Sequence, residues 1–319
     1  DYFHDVRSLS DKDIVLLSRS ERIDIAVDLG GFTKNSRTGI FAMRAAPVQV
    51  NYLGYPGTMA ADYMDYIIAD HTIIPEDKKH HYSESIAYLP YSYMVTDSKT
   101  KSPTIQFTRE DAGLPVNGFV FCCFNQHYKI TPITFLMWMR ILIQVEGSIL
   151  WLSDANSTII SNLKHEAIKN GVEGDRLIFA PRLTFKEDHL SRMQLADLFL
   201  DTLPYNAHTT SSDALRMGVP VLTCIGKSFT SRVASSLLNA VNLPELIVTS
   251  QDQYESFAIK LATNSEEFKS IKNKLVNNLS TAPLYDTKLF TKHLEYAFIK
   301  MNEKYYKGID PEDIYVELS

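Results

Sequence analysis

The stretch Ala196-Asp-Leu-Phe-Leu-Asp-Thr-Leu-Pro-Tyr-Asn-Ala-His-Thr-Thr-Ser-Ser-Asp-Ala-Leu-Arg-Met-Gly-Val-Pro-Val-Leu-Thr223 decides the fold. Its apolar run from Leu198 to Leu200 predicts a buried strand. Small hydroxyl residues then open a helix at Thr209, Gly218 stops it, and Val219 to Thr223 forms a second buried strand. Strand, helix and strand make a βαβ unit whose active end is the helix start. There the first-turn N–H groups lack intrahelical partners and the dipole end is positive, so a phosphate or pyrophosphate is the natural ligand. Asp213, in the same turn, would repel a phosphate beside it and suits a sugar hydroxyl better. Hydroxyl residues also cap ordinary helices. A plain turn, however, does not need His208 and Pro204-Tyr205-Asn206 at its tip.

Working outward, the 319 residues are enough for two α/β lobes, and 45% hydrophobic with 22% charged residues is an ordinary globular composition. A net charge of -6 argues against nucleic acid or an anionic membrane as the main partner. The 3 cysteines form neither a disulfide framework nor a metal cluster, which predicts a reduced, cytoplasmic chain. No apolar run approaches the roughly 20 residues of a membrane span.

Strands are expected at Ile23 to Leu29, Val48 to Leu53, Tyr66 to Ala69 and Ile86 to Leu89, completing a first lobe over 1–95. The polar segment 96–116 reads as an interlobe linker. A second lobe over 117–285 opens on the strand Gly118 to Phe124, and 286–319 forms a final helix and acidic tail. Lys129 falls in the loop between that strand and a helix signalled by Thr131-Pro132, where a point charge can neutralise a phosphate oxygen. Lys186, His189 and Arg192 are three apart, so on a helix they share one face. There a flat ring can stack on a base while the cations bond its edge or the ribose. Each also reads as solvated surface.

Six segments in order resemble the catalytic region of the O-GlcNAc transferase and SPINDLY-like glycosyltransferase family. They are Asp24-Ile-Ala-Val-Asp-Leu-Gly-Gly-Phe-Thr33, Arg44-Ala-Ala-Pro-Val-Gln49, Leu53-Gly-Tyr-Pro-Gly-Thr58, Met64-Asp-Tyr-Ile-Ile-Ala-Asp70, Phe124-Asn-Gln-His-Tyr-Lys129, and Asp201 through Pro220. The resemblance implies an α/β fold of GT-B type: two Rossmann-like lobes with a nucleotide-sugar cleft, the first lobe N-terminally incomplete. It implies an inverting transfer of GlcNAc from UDP-GlcNAc to Ser or Thr hydroxyls of proteins, with no metal. Carried onto this chain, Gln126 and Lys129 contact the diphosphate and Lys129 stabilises departing UDP. His208, Thr209 and Thr210 line sugar and phosphates, Lys186, His189 and Arg192 hold ribose and uracil, and Asp213 binds a ribose hydroxyl. Lys129 and His208 are the catalytic candidates.

The expected partners are a nucleotide sugar and a protein or peptide acceptor, with tetratricopeptide repeats N-terminal in the full-length protein. Three other readings stay open. The donor can be GDP-fucose, as for a protein O-fucosyltransferase. The chain can be a truncated, noncatalytic nucleotide-sugar-binding fragment, since a His-Pro segment of the family's active site would precede Asp1. It can also be a GT-B isomerase, because Asp24 and Asp28 share one face of a strand and acids at the sugar would serve proton removal.

Overall fold

A computed structural model describes residues 2–99 and 105–317, so residues 100–104 of the expected linker lie outside the described residues. The chain divides into two compact units: residues up to Val95 together with those from Thr287 on, and Thr96–Asp286.

The first unit contains α1 (Asp11–Ser20), β1 (Ile25–Asp28), α2 (Gly39–Ala42), β2 (Val48–Asn51), β3 (Tyr66–Asp70) and β4 (Ser85–Leu89). The second contains β5 (Val120–Cys123), α3 (Pro132–Gln144), β6 (Ile149–Ser153), α4 (Ser157–Lys169), β7 (Leu177–Ala180), α5 (Lys186–Met193), β8 (Leu198–Leu200), α6 (Thr209–Arg216), β9 (Val221–Cys224), α7 (Val233–Ala240), β10 (Ile247–Val248), α8 (Gln251–Thr263) and α9 (Ser265–Leu279). The chain then returns to the first unit through α10 (Thr287–Tyr306) and β11 (Ile314–Tyr315). None of the described helices is long and apolar enough to cross a membrane.

In the first unit the strand order is β1-β2-β3-β4-β11, with every pairing parallel. Sheets covered on both faces read as apolar runs rather than alternation, and β3 is buried along its whole length. The expected acidic tail supplies the fifth strand. Ile314 and Tyr315 pair with Ala87 and Tyr88, the two tyrosine rings stack at 5.2 Å, and the Asp313 carboxylate accepts from the Ile86 amide at 2.8 Å.

Several quoted motifs act structurally here. The fully buried Gln49 accepts from the Ala45 amide and donates to the Phe41 and Tyr63 carbonyls, while Arg44 donates to Tyr63, Asp65 and Pro47. The Asp28 carboxylate accepts from the Gly30 and Gly31 amides at 2.9 Å each, and Tyr306 donates to Asp24. Both carboxylates of the isomerase reading are thus engaged with their own unit. Gly54 is required by close approach: a Cβ there would lie 2.0 Å from the Leu29 carbonyl oxygen. Because both atoms belong to rigid turns, Gly54→Ala is expected to destabilise the protein by about 1–3 kcal/mol. An unchanged thermal midpoint would contradict this.

The second sheet runs β10-β9-β8-β5-β6-β7, all parallel. Its first strand, β5, lies between β6 and β8, so the order in which successive strands are added reverses across the parallel β5/β8 pair. This is a topological switch point, outside whose strand C-termini open α/β sheets bind ligands. Phe121, Trp138 and Trp151 fill the core around it. α3 starts as its sequence predicts, with Thr131 as N-cap accepting from the Thr134 amide and Pro132 in the first turn. Gly218, at φ +73, follows α6 in the left-handed conformation that ends helices. The next strand begins at Val221 rather than Val219, since Pro220 has no N–H for the ladder.

Candidate active site

Two loops leave the switch point side by side. After β5 the chain continues through buried Asn125 and a short 3-10 turn at His127–Lys129. After β8 it runs from Asp201 to His208 before entering α6. Asn125 ties them, its Nδ2 donating to Thr202 Oγ1 at 2.8 Å. The second loop closes on Asp201: one carboxylate oxygen accepts from the Thr202 amide at 2.8 Å and the Ala207 amide at 2.6 Å, and the other from Thr223 Oγ1 at 2.7 Å. Burial pushes the Asp201 carboxyl up to about 7, opposed by those same hydrogen bonds and by the Lys129 charge.

Lys129 reaches from the first loop onto the second. Its Nζ donates to the Asn206 carbonyl at 2.8 Å and sits 3.9 Å from the centre of the Tyr205 ring. Burial lowers its pKa, with Asp201 and Cys123 opposing. The next turn is the α6 start, whose N-cap is His208 rather than a hydroxyl residue, and no side chain caps it. The first intrahelical bond there is from the Ser212 amide to the His208 carbonyl, so the Thr209, Thr210 and Ser211 amides have no intrahelical partner. Asp213 lies beyond the first turn, contrary to the sequence expectation, and pairs with Lys186 at 3.7 Å.

The His208 ring is driven down to about 3, by burial first and then by the Lys129 charge, so the cationic charge of this cluster comes from Lys129. His208 Nε2, Asn206 Oδ1 and Ser211 Oγ are buried without a hydrogen-bond partner among the described residues. Unpaired buried polar atoms are costly, and three around one helix start mark a place where polar ligand atoms complete the bonding.

Beside this cluster, the C-terminal ends of β5, β6 and β7 and the start of α5 enclose a hollow of about 690 Å³. The one-face reading of α5 holds, since Lys186, His189 and Arg192 all line it together with Gln126. His189 Nδ1 accepts from Arg192 Nε at 3.3 Å and Nη2 at 3.1 Å, and Phe124 meets its ring edge to face at 5.4 Å. Burial, then the Arg192 and Lys186 charges, lower the His189 pKa to about 4. The ring is therefore neutral at pH 7, as suits stacking. Lys129, His208, Thr209, Thr210 and Asp213 are not part of this wall. They link to it through the Gln126–Lys129 loop and the Lys186–Asp213 pair.

The sequence reading missed Phe124, Asp154, Arg182 and Phe185 in the wall of the hollow. Asp154 stands directly after β6 and before the N-cap Asn156, a strand-to-helix position that is the available signal for it. Among the described residues, no group of three or more His, Cys, Asp or Glu is placed to hold a metal ion.

The pattern of glycosyl transferase family 41 matches residues 13–107 and 96–294. A probable UDP-N-acetylglucosamine–peptide N-acetylglucosaminyltransferase SEC of Arabidopsis thaliana is 37% identical over 318 residues, covering 98% of this chain and 32% of that protein. A SPINDLY protein of Eustoma exaltatum, given the same probable activity, is 32% identical over 317 residues, covering 97% and 34%. The chain thus spans about a third of the length of these curated relatives. A mutant of Thermobaculum terrenum O-GlcNAc transferase superposes with a TM-score of 0.88 at 30% identity, covering 97% of this chain and 58% of that one. Anabaena HepE, solved with UDP and glucose, matches in fold, with a TM-score of 0.60 at 14% identity over 94% of this chain and 84% of that one. The fold class is the expected α/β GT-B type.

Proposed function

The chain belongs to glycosyl transferase family 41, and from that premise we propose that it moves GlcNAc from UDP-GlcNAc to Ser or Thr hydroxyls of protein acceptors, with inversion and without a metal ion. The observation that carries this reading is the Lys129 ammonium held against the loop that starts α6, next to a helix start with uncapped amides. In the reaction the acceptor oxygen bonds to the sugar C1 as the C1–O bond to the diphosphate breaks, and the hydroxyl proton passes to water. Negative charge grows on the departing UDP. Lys129 and the Thr209 and Thr210 amides meet it, the work a divalent ion does in other transferases.

The uridine goes to the 690 Å³ hollow, where His189 stacks on the base and Lys186 and Arg192 bond ribose and base edge. Gln126 bridges the hollow and the diphosphate site, His208 offers Nε2 as an acceptor to the donor, and Asp213 takes a ribose hydroxyl. Tetratricopeptide repeats N-terminal in the full-length protein belong to the proposal as the means of choosing acceptors. The probable peptide N-acetylglucosaminyltransferase activity of the SEC and SPINDLY relatives supports this reading.

Calorimetry with UDP-GlcNAc, UDP and GDP-fucose tests the donor. Saturable binding of the uridine compounds is expected, and preference for GDP-fucose overturns the choice. His189→Ala is expected to weaken UDP binding roughly tenfold or more, the loss of one stacked base. An unchanged dissociation constant removes His189 from the base site.

A further inference from the structure

The resting position of Lys129 calls for an explanation that the transfer reaction does not give. A half-buried ammonium needs a partner, yet Asp201, the carboxylate whose charge acts on it, is engaged with Thr202, Ala207 and Thr223. What the ammonium touches instead is neutral: the Asn206 carbonyl at 2.8 Å and the face of Tyr205 at 3.9 Å. That ring is fixed by its backbone. The Tyr205 carbonyl accepts from Thr202 Oγ1 at 2.6 Å, and the following amide, of Asn206, donates to the Thr230 carbonyl at 3.0 Å. The ring also lies 5.2 Å from His208 and 6.4 Å from Tyr128, centre to centre.

We propose that Tyr205 is a positioning residue for Lys129: its ring face holds the ammonium charged and in place until a diphosphate takes it over. A carboxylate partner would bind the ammonium too well to surrender it, and an apolar one would let it deprotonate. An aromatic face attracts a cation appreciably once water is excluded, without competing with a phosphate. The groups facing Lys129 are Asp201 from the end of β8, Cys123 from the end of β5, His208 from the start of α6, and Tyr205, whose ring in turn meets Tyr128. Of these, Asp201 and Cys123 oppose the burial that lowers its pKa. The proposal rests on the role of Lys129 given above, but its test does not.

The test is an alkaline titration of the Lys129 side-chain signal by NMR in lysine-labelled protein without donor, the signal being identified by its loss in Lys129→Arg. Tyr205→Phe is expected to keep the wild-type midpoint. Tyr205→Leu is expected to lower it by about one pH unit, tenfold in the ratio of charged to neutral amine. Should Leu disturb the loop, phenylalanines with progressively fluorinated rings at position 205 keep the shape while weakening the face, and the midpoint is expected to fall with each fluorine. An unmoved midpoint in Leu and in the fluorinated series, or a fall in Phe equal to that in Leu, overturns the proposal. Failure of UDP to bind would instead overturn the donor assignment and leave this result standing.

Discussion

Replacing Lys129 with Met is expected to lower kcat by roughly 100- to 1000-fold while changing the dissociation constant of UDP-GlcNAc less than tenfold, the pattern for a group needed most as charge develops. Met keeps an unbranched side chain over Tyr205, so the packing of the 126–129 loop is preserved while the charge and its hydrogen bond to the Asn206 carbonyl are removed. The asymmetry follows from the resting geometry. Lys129 already has two neutral acceptors, so exchanging them for a ground-state phosphate gains little, and the gain appears only when the diphosphate departs. Steady-state kinetics beside calorimetry checks this, and equal losses in kcat and affinity would contradict it.

Asp201→Ala is expected to be the most destabilising single change at the site. It strands the Thr202 and Ala207 amides and the Thr223 hydroxyl in a fully buried position. At about 1–3 kcal/mol for each of these three unsatisfied groups, the loss is about 3–9 kcal/mol. Thermal unfolding should show a midpoint lower by about 10 °C or more, by the usual scaling for a domain of this size. Asp201→Asn keeps one acceptor oxygen and should cost far less. The comparison also has a sign in pH. Burial raises the folded-state pKa to about 7 from 3.8, so the folded state binds the proton more readily than the unfolded chain. Its contribution is therefore fully present below pH 3.8 and lost as pH rises through 7. The advantage of wild type over Asp201→Asn should shrink between pH 4 and pH 8. A constant gap would show that Asp201 is ionised throughout.

What the sequence disclosed depended on how local each signal was. The βαβ unit around 198–223 was legible because its apolar runs, helix stop and strand restart are contiguous, and the one-face reading of Lys186, His189 and Arg192 because helical spacing is local. β11 was not legible: two residues, Ile314 and Tyr315, carry no periodicity, and they become a strand only by pairing with β4 across more than 200 residues. The same holds for the wall of the hollow. Phe124 follows β5, Asp154 follows β6, and Arg182 and Phe185 follow β7, so only the parallel order of the sheet gathers them. Arg44 and Gln49, part of a motif that read as a family mark, satisfy buried backbone groups. His208 took the cap position expected of a hydroxyl because the Asp201 closure of the loop, rather than capping preference, fixes where α6 begins.

The most direct measurement of the account follows the Lys129 ammonium signal while UDP is titrated into the chain with a chelator present. Saturating UDP is predicted to shift that signal and raise its titration midpoint, as a phosphate oxygen replaces the Tyr205 face, while uridine without phosphates leaves it unmoved. UDP that binds without moving the Lys129 signal, or that binds only when a divalent metal is restored, would contradict it.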